Sequence, residues 1–292
     1  MCGSPVDDAK VLGRRLNTRQ GLRPARKVGI TTSVLRCRRC GLVFANPLPL
    51  PEHLAQHYEL DPEEYWDPEY VNSGGDTLEA YVDTFRRLWR GQRTPSALDV
   101  GAGTGQNMVT LGQRGFDVYG LEPSASFRER ALKRDELQPE RLLHARVEEA
   151  DFPEESFDFI SLGAVLEHLP DPAASLERAL RWLRRDGLMW VAVPSSRWLV
   201  ARILNTIYRL QGLDYVTNIS PMHSPFHLYE FTRDTFGLHG SQAGYRVEES
   251  RVVVCDTFAP RPLRGIAYRI MAATDTGMIL EVWLRKTGAK EL

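Results

Sequence analysis

Between residues 96 and 193, short uninterrupted apolar runs alternate with stretches in which apolar positions recur at helical spacing. Residues 96–100, 117–122, 157–162 and 188–193 have the continuous apolar character of strands buried on both faces. Residues 107–111 have helical character. Residues 174–183 place Leu176, Ala179, Leu180 and Leu183 on one helical face, after a Pro172 that suits the first turn. Arg184-Arg185-Asp186-Gly187 then offers the cations and glycine preferred at a helix end. This alternation predicts an α/β fold with a doubly wound parallel sheet. Residues 245–254 and 278–284 read as two late strands, with a less regular stretch over 256–277. Residues 78–91 read as an amphipathic helix, 198–210 are helix-compatible, and Thr232 is placed to cap a helix carrying Phe236 and Leu238.

Composition bounds the answer further. A chain of 292 residues, 42% hydrophobic, can bury one good core plus appendages. No apolar run approaches the ~20 residues of a membrane helix, and the first residues lack the apolar region of a signal peptide. A cytoplasmic address without a membrane partner is expected. The net charge of −1 gives no bulk attraction to nucleic acid. Residues 10–40 nevertheless hold ten Lys or Arg and no Asp or Glu. Such a run is either a solvated face or a surface that meets phosphates, in a nucleotide-activated or lipid-linked acceptor or in RNA.

The densest chemistry lies at residues 98–107, Leu-Asp-Val-Gly-Ala-Gly-Thr-Gly-Gln-Asn, between a predicted strand and a predicted helix. Three glycines in such a turn let backbone approach a nucleotide closely. A dinucleotide fingerprint needs glycine at position 106, which is Gln106. The glycines stand instead at Gly101, Gly103 and Gly105, behind Asp99. This Asp-x-Gly-x-Gly-x-Gly arrangement resembles motif I of the class I S-adenosylmethionine-dependent methyltransferases. The next strand ends in Glu122, followed by Pro123 and Ser124, and the family binds the ribose hydroxyls with an acidic residue there. Residues 145–158 resemble the loop that packs on adenine. Many relatives carry an Asp where this chain has Arg146, which cannot accept a hydrogen bond, so adenine contact falls to backbone near Val147 and Glu148. Residues 157–172, with Leu166-Glu167-His168-Leu169-Pro170-Asp171-Pro172, resemble the signature of small-molecule methyltransferases related to ubiquinone-biosynthesis enzymes.

The resemblance implies a Rossmann-like seven-stranded sheet, mostly parallel with an antiparallel last strand. It implies cofactor contacts from Asp99, Gly101, Ala102, Gly103, Gly105, Asn107, Glu122, Pro123, Val147, Glu148, Leu162 and Gly163. Methyl transfer from a sulfonium needs positioning and exclusion of water more than a dedicated base. Candidate bases are His227, His168 and His223, each of which has a bracing role as its alternative. Tyr65, Trp66 and Tyr70 either line the acceptor pocket or glue the N-terminal part to the core. The expected acceptor is a small molecule, phosphorylated or sugar-linked, methylated on oxygen or nitrogen. A nucleic-acid-binding or RNA-modifying protein using residues 10–40, and a scaffold that binds cofactor without transfer, are the alternative readings. Residues 161–164, Ser-Leu-Gly-Ala, lack the tetrad of base-directed amino methyltransferases. No cysteine falls between 41 and 254 to serve RNA cytosine chemistry.

Three of the four cysteines lie near the N-terminus. Cys37-Arg38-Arg39-Cys40-Gly41 is a knuckle that can place two thiolates on one Zn²⁺, and Cys2-Gly3 looks like the second half of another. Residues 1–50 resemble the zinc-ribbon extension of some bacterial methyltransferases of this group. The missing first cysteine would sit two positions before Met1, so either the given start is a few residues late or three ligands remain. His53 and His57 are alternative fourth ligands. Cys255 reads as buried packing. The expected organisation is an extension over 1–50, a connecting helical lid over 51–95 and a core over 96–292 with an acceptor-side insertion at about 195–235.

Overall fold

The computed structural model describes residues 1–15, 32–53, 57–59, 75–221, 225–255 and 257–287, with backbone alone for 75–79. Tyr65, Trp66, Tyr70 and His223 lie outside the described residues.

Two sheets organise the chain. The larger contains β4 (Ser96–Val100), β5 (Asp117–Leu121), β6 (Leu142–Leu143), β7 (Phe157–Gly163), β8 (Leu183–Pro194), β10 (Tyr245–Val253) and β11 (Ile279–Lys286). Their order is β10-β11-β8-β7-β4-β5-β6. The five strands from β4 to β8 are parallel, and β11 runs antiparallel between β8 and β10. This is the expected Rossmann-like sheet with an antiparallel last strand. β4 and β7 hold its centre, with Leu98, Phe159 and Ile160 fully buried, because each is covered on both faces. On one face the helix Gly75–Leu88 lays Tyr81, Val82 and Phe85 over Phe159, Trp190 and Trp283. On the other, the helix Pro172–Trp182 seats Leu176, Ala179 and Leu180 in the main core. Asp171 caps that helix through the N–H groups of Ala173 and Ala174.

The smaller sheet joins β1 (Lys10–Arg15), β2 (Thr32–Arg36) and β3 (Val43–Asn46) to β9 (Tyr229–Glu230), which comes from far along the chain. All its neighbours are antiparallel, and β3 pairs with β9 through Val43–Glu230 and Phe44–Tyr229.

Three local expectations change. Arg184–Gly187 does not close a helix: the helix stops at Trp182 and Leu183 already pairs with Phe157 of β7. The cations there are used laterally instead, Arg184 reaching the buried Asp158 carboxylate at 2.8 Å. Residues 256–277 contain a ten-residue helix, Arg264–Ala273. Its apolar residues are mostly exposed, so no core-facing periodicity announces it. Cys255 is exposed rather than buried, since it stands just past the end of β10.

Candidate functional site

The parallel strands end on one edge, and the glycine turn sits there directly after β4. Gly101 and Ala102 both donate their N–H to the Leu121 carbonyl, 2.8 and 2.9 Å, which folds the turn back over β5. Gly101, Gly103 and Gly105 all adopt positive φ, the region where a side chain is strained. A Cβ on Gly101 would stand 2.6 Å from a methyl of Val165, and one on Gly105 2.3 Å from Leu137. Glycine is therefore demanded at both by backbone shape and by space.

Glu122, at the tip of β5, closes on this turn. One carboxylate oxygen accepts from Gly103 N–H at 2.7 Å and the other from Ser124 N–H at 2.8 Å. Burial pushes its pKa up to about 7 against these two bonds. Asp99 lies underneath and does not reach the cavity: it accepts from Asn107 Nδ2 and Ser161 Oγ, both at 2.6 Å. Burial raises it to about 6. Tyr81 donates to the Asn107 side-chain oxygen, extending the network to the helix before β4. Asp99 and Asn107 thus brace the floor of the site.

The cavity in front of the turn is lined by Gly101, Gly103, Glu122, Pro123, Val147, Glu148 and Gly163. Ala102, Gly105 and Leu162 are buried behind it. Pro225, Tyr58 and Phe127 also line it and were not legible as site residues. The first two lie far from the motifs in sequence, and Phe127 belongs to the helix Ala125–Ala131 after Glu122. Tyr58 donates to the His168 carbonyl at 3.1 Å, and the neighbouring Glu59 accepts from Ala125 N–H at 2.8 Å. Ala164, at the end of β7, also lines the cavity with φ 55°, and Ala192 holds its N–H at 2.9 Å. A non-glycine residue in that region stores strain of the kind that gathers at functional sites.

His168 also lines the cavity and is nearly enclosed. Its Nδ1 meets the Phe226 carbonyl at 3.0 Å; a carbonyl only accepts, so Nδ1 carries the proton. Burial depresses its pKa to about 4, leaving a neutral, weakly basic ring. The half-buried His227 packs edge-on against it, ring centres 4.6 Å apart. The fully buried Glu167 completes the group, with ligating atoms of all three within 4.8 Å of one another. Among the described residues one Glu167 oxygen has no hydrogen-bond partner, and burial lifts this carboxyl to about 8, which favours its protonated form at neutral pH. The helix before β4 packs on the sheet face, and among the described residues of the segment before it Tyr58 lines the cavity.

The cysteines form a second cluster. Cys2, Cys37 and Cys40 bring their sulfurs within 4.8 Å of one another. Cys2 and Cys37 are 3.5 Å apart, far beyond the ~2.05 Å of a disulfide and near the ~3.8 Å edge of a tetrahedron with ~2.3 Å Zn–S bonds. Gly41 turns the knuckle with φ 73°. Thr232 and Thr235, in the first turn of the helix Arg233–Ala243, donate to the Cys40 carbonyl at 2.5 and 3.0 Å. Neither alternative histidine joins this group among the described residues. His57 instead accepts from Phe226 N–H at 3.0 Å, beside the cavity.

Residues 98–191 match the family model for the methyltransferase domain. A trans-aconitate 2-methyltransferase of Deinococcus radiodurans is 30% identical over 135 residues, 45% of this chain and 50% of that protein. A ubiquinone biosynthesis O-methyltransferase of Rhodopseudomonas palustris is 32% identical over 104 residues, 35% of this chain and 40% of that protein. The chain spans half or less of the length of these curated relatives. Among solved structures, an S-adenosylmethionine-dependent methyltransferase of Thermotoga maritima superimposes with TM-score 0.52 at 20% identity, covering 80% of this chain and all of that one.

Proposed function

We propose that this chain, whose core is a class I S-adenosylmethionine-dependent methyltransferase domain, transfers a methyl group to oxygen or nitrogen of a small-molecule or glycan-pathway acceptor. The observation that supports it most is the Glu122 carboxylate, closed on Gly103 N–H at the mouth of a glycine-floored cavity. In this reading Glu122 takes the ribose hydroxyls. The backbone of Gly101, Gly103 and Gly163 faces the methionine end, Pro123 flanks the ribose, and Val147 and Glu148 edge the adenine. Asp99, Ala102, Gly105, Asn107 and Leu162 hold that surface in shape from behind. When bound, the cofactor supplies an electrophilic sulfonium methyl that carries its own activation. The protein's part is to hold the acceptor in line with it and keep water out.

Calorimetric titration with S-adenosylmethionine and S-adenosylhomocysteine tests this reading, and micromolar binding is expected. Hydroxyl donors favour the ionised form of Glu122, so binding lowers its pKa from about 7 and releases a proton. Affinity therefore rises with pH up to about that value, and the heat depends on the buffer's ionisation enthalpy. Absence of binding at every pH sinks the proposal.

The proton leaving a hydroxyl or amine acceptor is assigned to His227, because burial keeps His168 a weak base that braces the loop. With an acceptor in hand, His227→Ala should lower kcat about tenfold, short of the ~10²–10⁴ of steps limited by proton transfer, with cofactor affinity unchanged. An unaltered kcat and pH profile removes the assignment.

The reading includes a structural Zn²⁺ on Cys2, Cys37 and Cys40. Three converging thiols, two of them 3.5 Å apart, suit it, and the metal would fasten the small sheet to the helix Arg233–Ala243.

A further inference from the structure

Two helices take no part in the site. Leu199–Leu210 follows β8, and Arg264–Ala273 precedes β11. β8 ends where β11 begins, Pro194 pairing with Ile279, so both helices leave from the sheet edge that carries the glycine turn. The segments flanking them meet: Leu199 N–H, at the start of the first helix, reaches the carbonyl of Thr276, just past the end of the second, at 3.0 Å, and Trp198 meets Phe258 edge-on at 5.6 Å.

Each helix buries a single residue, Ala201 or Met271. In the first, Ile203, Ile207 and Leu210 recur on one face and stay exposed, Leu210 by 83%, with Leu213 just beyond. In the second, Ile266 and Ile270 do the same, with Leu263 one turn earlier and 52% exposed. Along the two helices themselves the charges are all positive, and the first carboxylates, Asp214 and Asp275, stand beyond their C-terminal ends. Residues 197–213 contain Arg197, Arg202 and Arg209 with no Asp or Glu, and residues 257–274 contain Arg261, Arg264 and Arg269 with no Asp or Glu. In a chain of net charge −1, this is a local segregation of cations around exposed aliphatic side chains.

An apolar stripe bordered by arginines is the chemistry of a helix lying in a membrane interface. The aliphatic side chains enter the acyl boundary, and the guanidinium groups extend to headgroups. A second copy of the chain fits this face poorly, because it would bring arginines against arginines with no carboxylate between them. We propose that these two helices dock the protein on a bilayer surface bearing anionic phospholipid. Docking of this kind needs no span, and no helix among the described residues is long and apolar enough to cross a membrane. The inference uses none of the cavity's residues and stands apart from the methyl-transfer reading.

The test is flotation of the full chain with vesicles of phosphatidylcholine alone and of phosphatidylcholine with about 30% phosphatidylglycerol. Binding is expected with the anionic vesicles only, weakening as salt screens the arginines. The pair Ile207→Glu with Leu210→Glu, and separately Ile266→Glu with Ile270→Glu, should each lower the bound fraction about tenfold. Arg202→Glu with Arg209→Glu should remove the preference for anionic lipid. Because all these side chains are exposed, melting temperature and cofactor titration should match the parent chain. No vesicle binding by the parent chain, or binding that survives all three pairs, overturns the proposal. A dimer in sedimentation that the same glutamates dissociate also overturns it, by assigning the face to a second copy.

Discussion

Glu122→Ala is expected to weaken S-adenosylmethionine binding by about 100-fold or more, read by calorimetric titration at pH 7.5–8. Two losses combine. The ribose hydroxyls lose a charged acceptor, and a hydrogen bond to a charged group is worth about 1.5–3 kcal/mol. The N–H groups of Gly103 and Ser124 lose the carboxylate that fixes the turn. About 3 kcal/mol lost from binding is already a factor of ~100. Glu122→Gln keeps the shape and one carbonyl acceptor and should cost less, about tenfold. The fold itself should survive. A carboxyl whose pKa is raised by folding stabilises the native state below its unfolded value near 4.5, and this contribution fades as pH rises to about 7. At pH 8 the empty protein gains little from the ionised group, so the deficit in the Ala variant belongs to binding. Parent-like affinity in Glu122→Ala would remove the ribose assignment.

Metal removal is expected to produce the other large effect. Elemental analysis of protein purified without chelator should find about one zinc per chain, and cobalt substitution should give sulfur-to-metal charge-transfer absorption. Cys37→Ser and Cys40→Ser should each abolish both signals and destabilise the protein by at least ~3 kcal/mol, since binding energy at such sites is folding energy. The damage should be local. Hydrogen exchange should accelerate first in β2 and β3, whose link runs through the knuckle, and in the first turn of Arg233–Ala243, which holds the Cys40 carbonyl. The centre of the large sheet should keep its protection. Metal-free protein with unchanged exchange in β2 and β3 would show that the three thiols are packing groups.

What the sequence disclosed follows how local each interaction is. The turn at 101–105 is legible because its demand for glycine arises from its own φ angles and from near neighbours such as Val165. Glu122 is legible because a strand of five residues delivers it to a fixed place beside that turn. The paired late strands are legible from their apolar runs, and Thr232 from its capping chemistry, which the structure realises with Thr235. Tyr58 and Pro225 are illegible for the opposite reason. They reach the cavity through segments whose path is set by contacts across the chain, including Phe226 N–H to His57, 169 residues apart. Asp99 is legible from the motif, whereas its partners, Asn107 and Ser161, are not. The helix Arg264–Ala273 is illegible because its apolar stripe faces outward and follows no core-facing pattern. Arg184–Gly187 misled because cations and glycine that suit a helix end also suit a strand that pairs at once and turns its arginines sideways.

The pairing of β3 with β9 sets an order of events during synthesis. Val43 waits for Glu230, and at ~5–20 residues per second the intervening chain takes about 10–40 s to appear. Throughout that interval the N-terminal sheet presents β3 as an open edge. The first strands to leave the ribosome therefore gain their last partner only after β4 to β8 have all been synthesised.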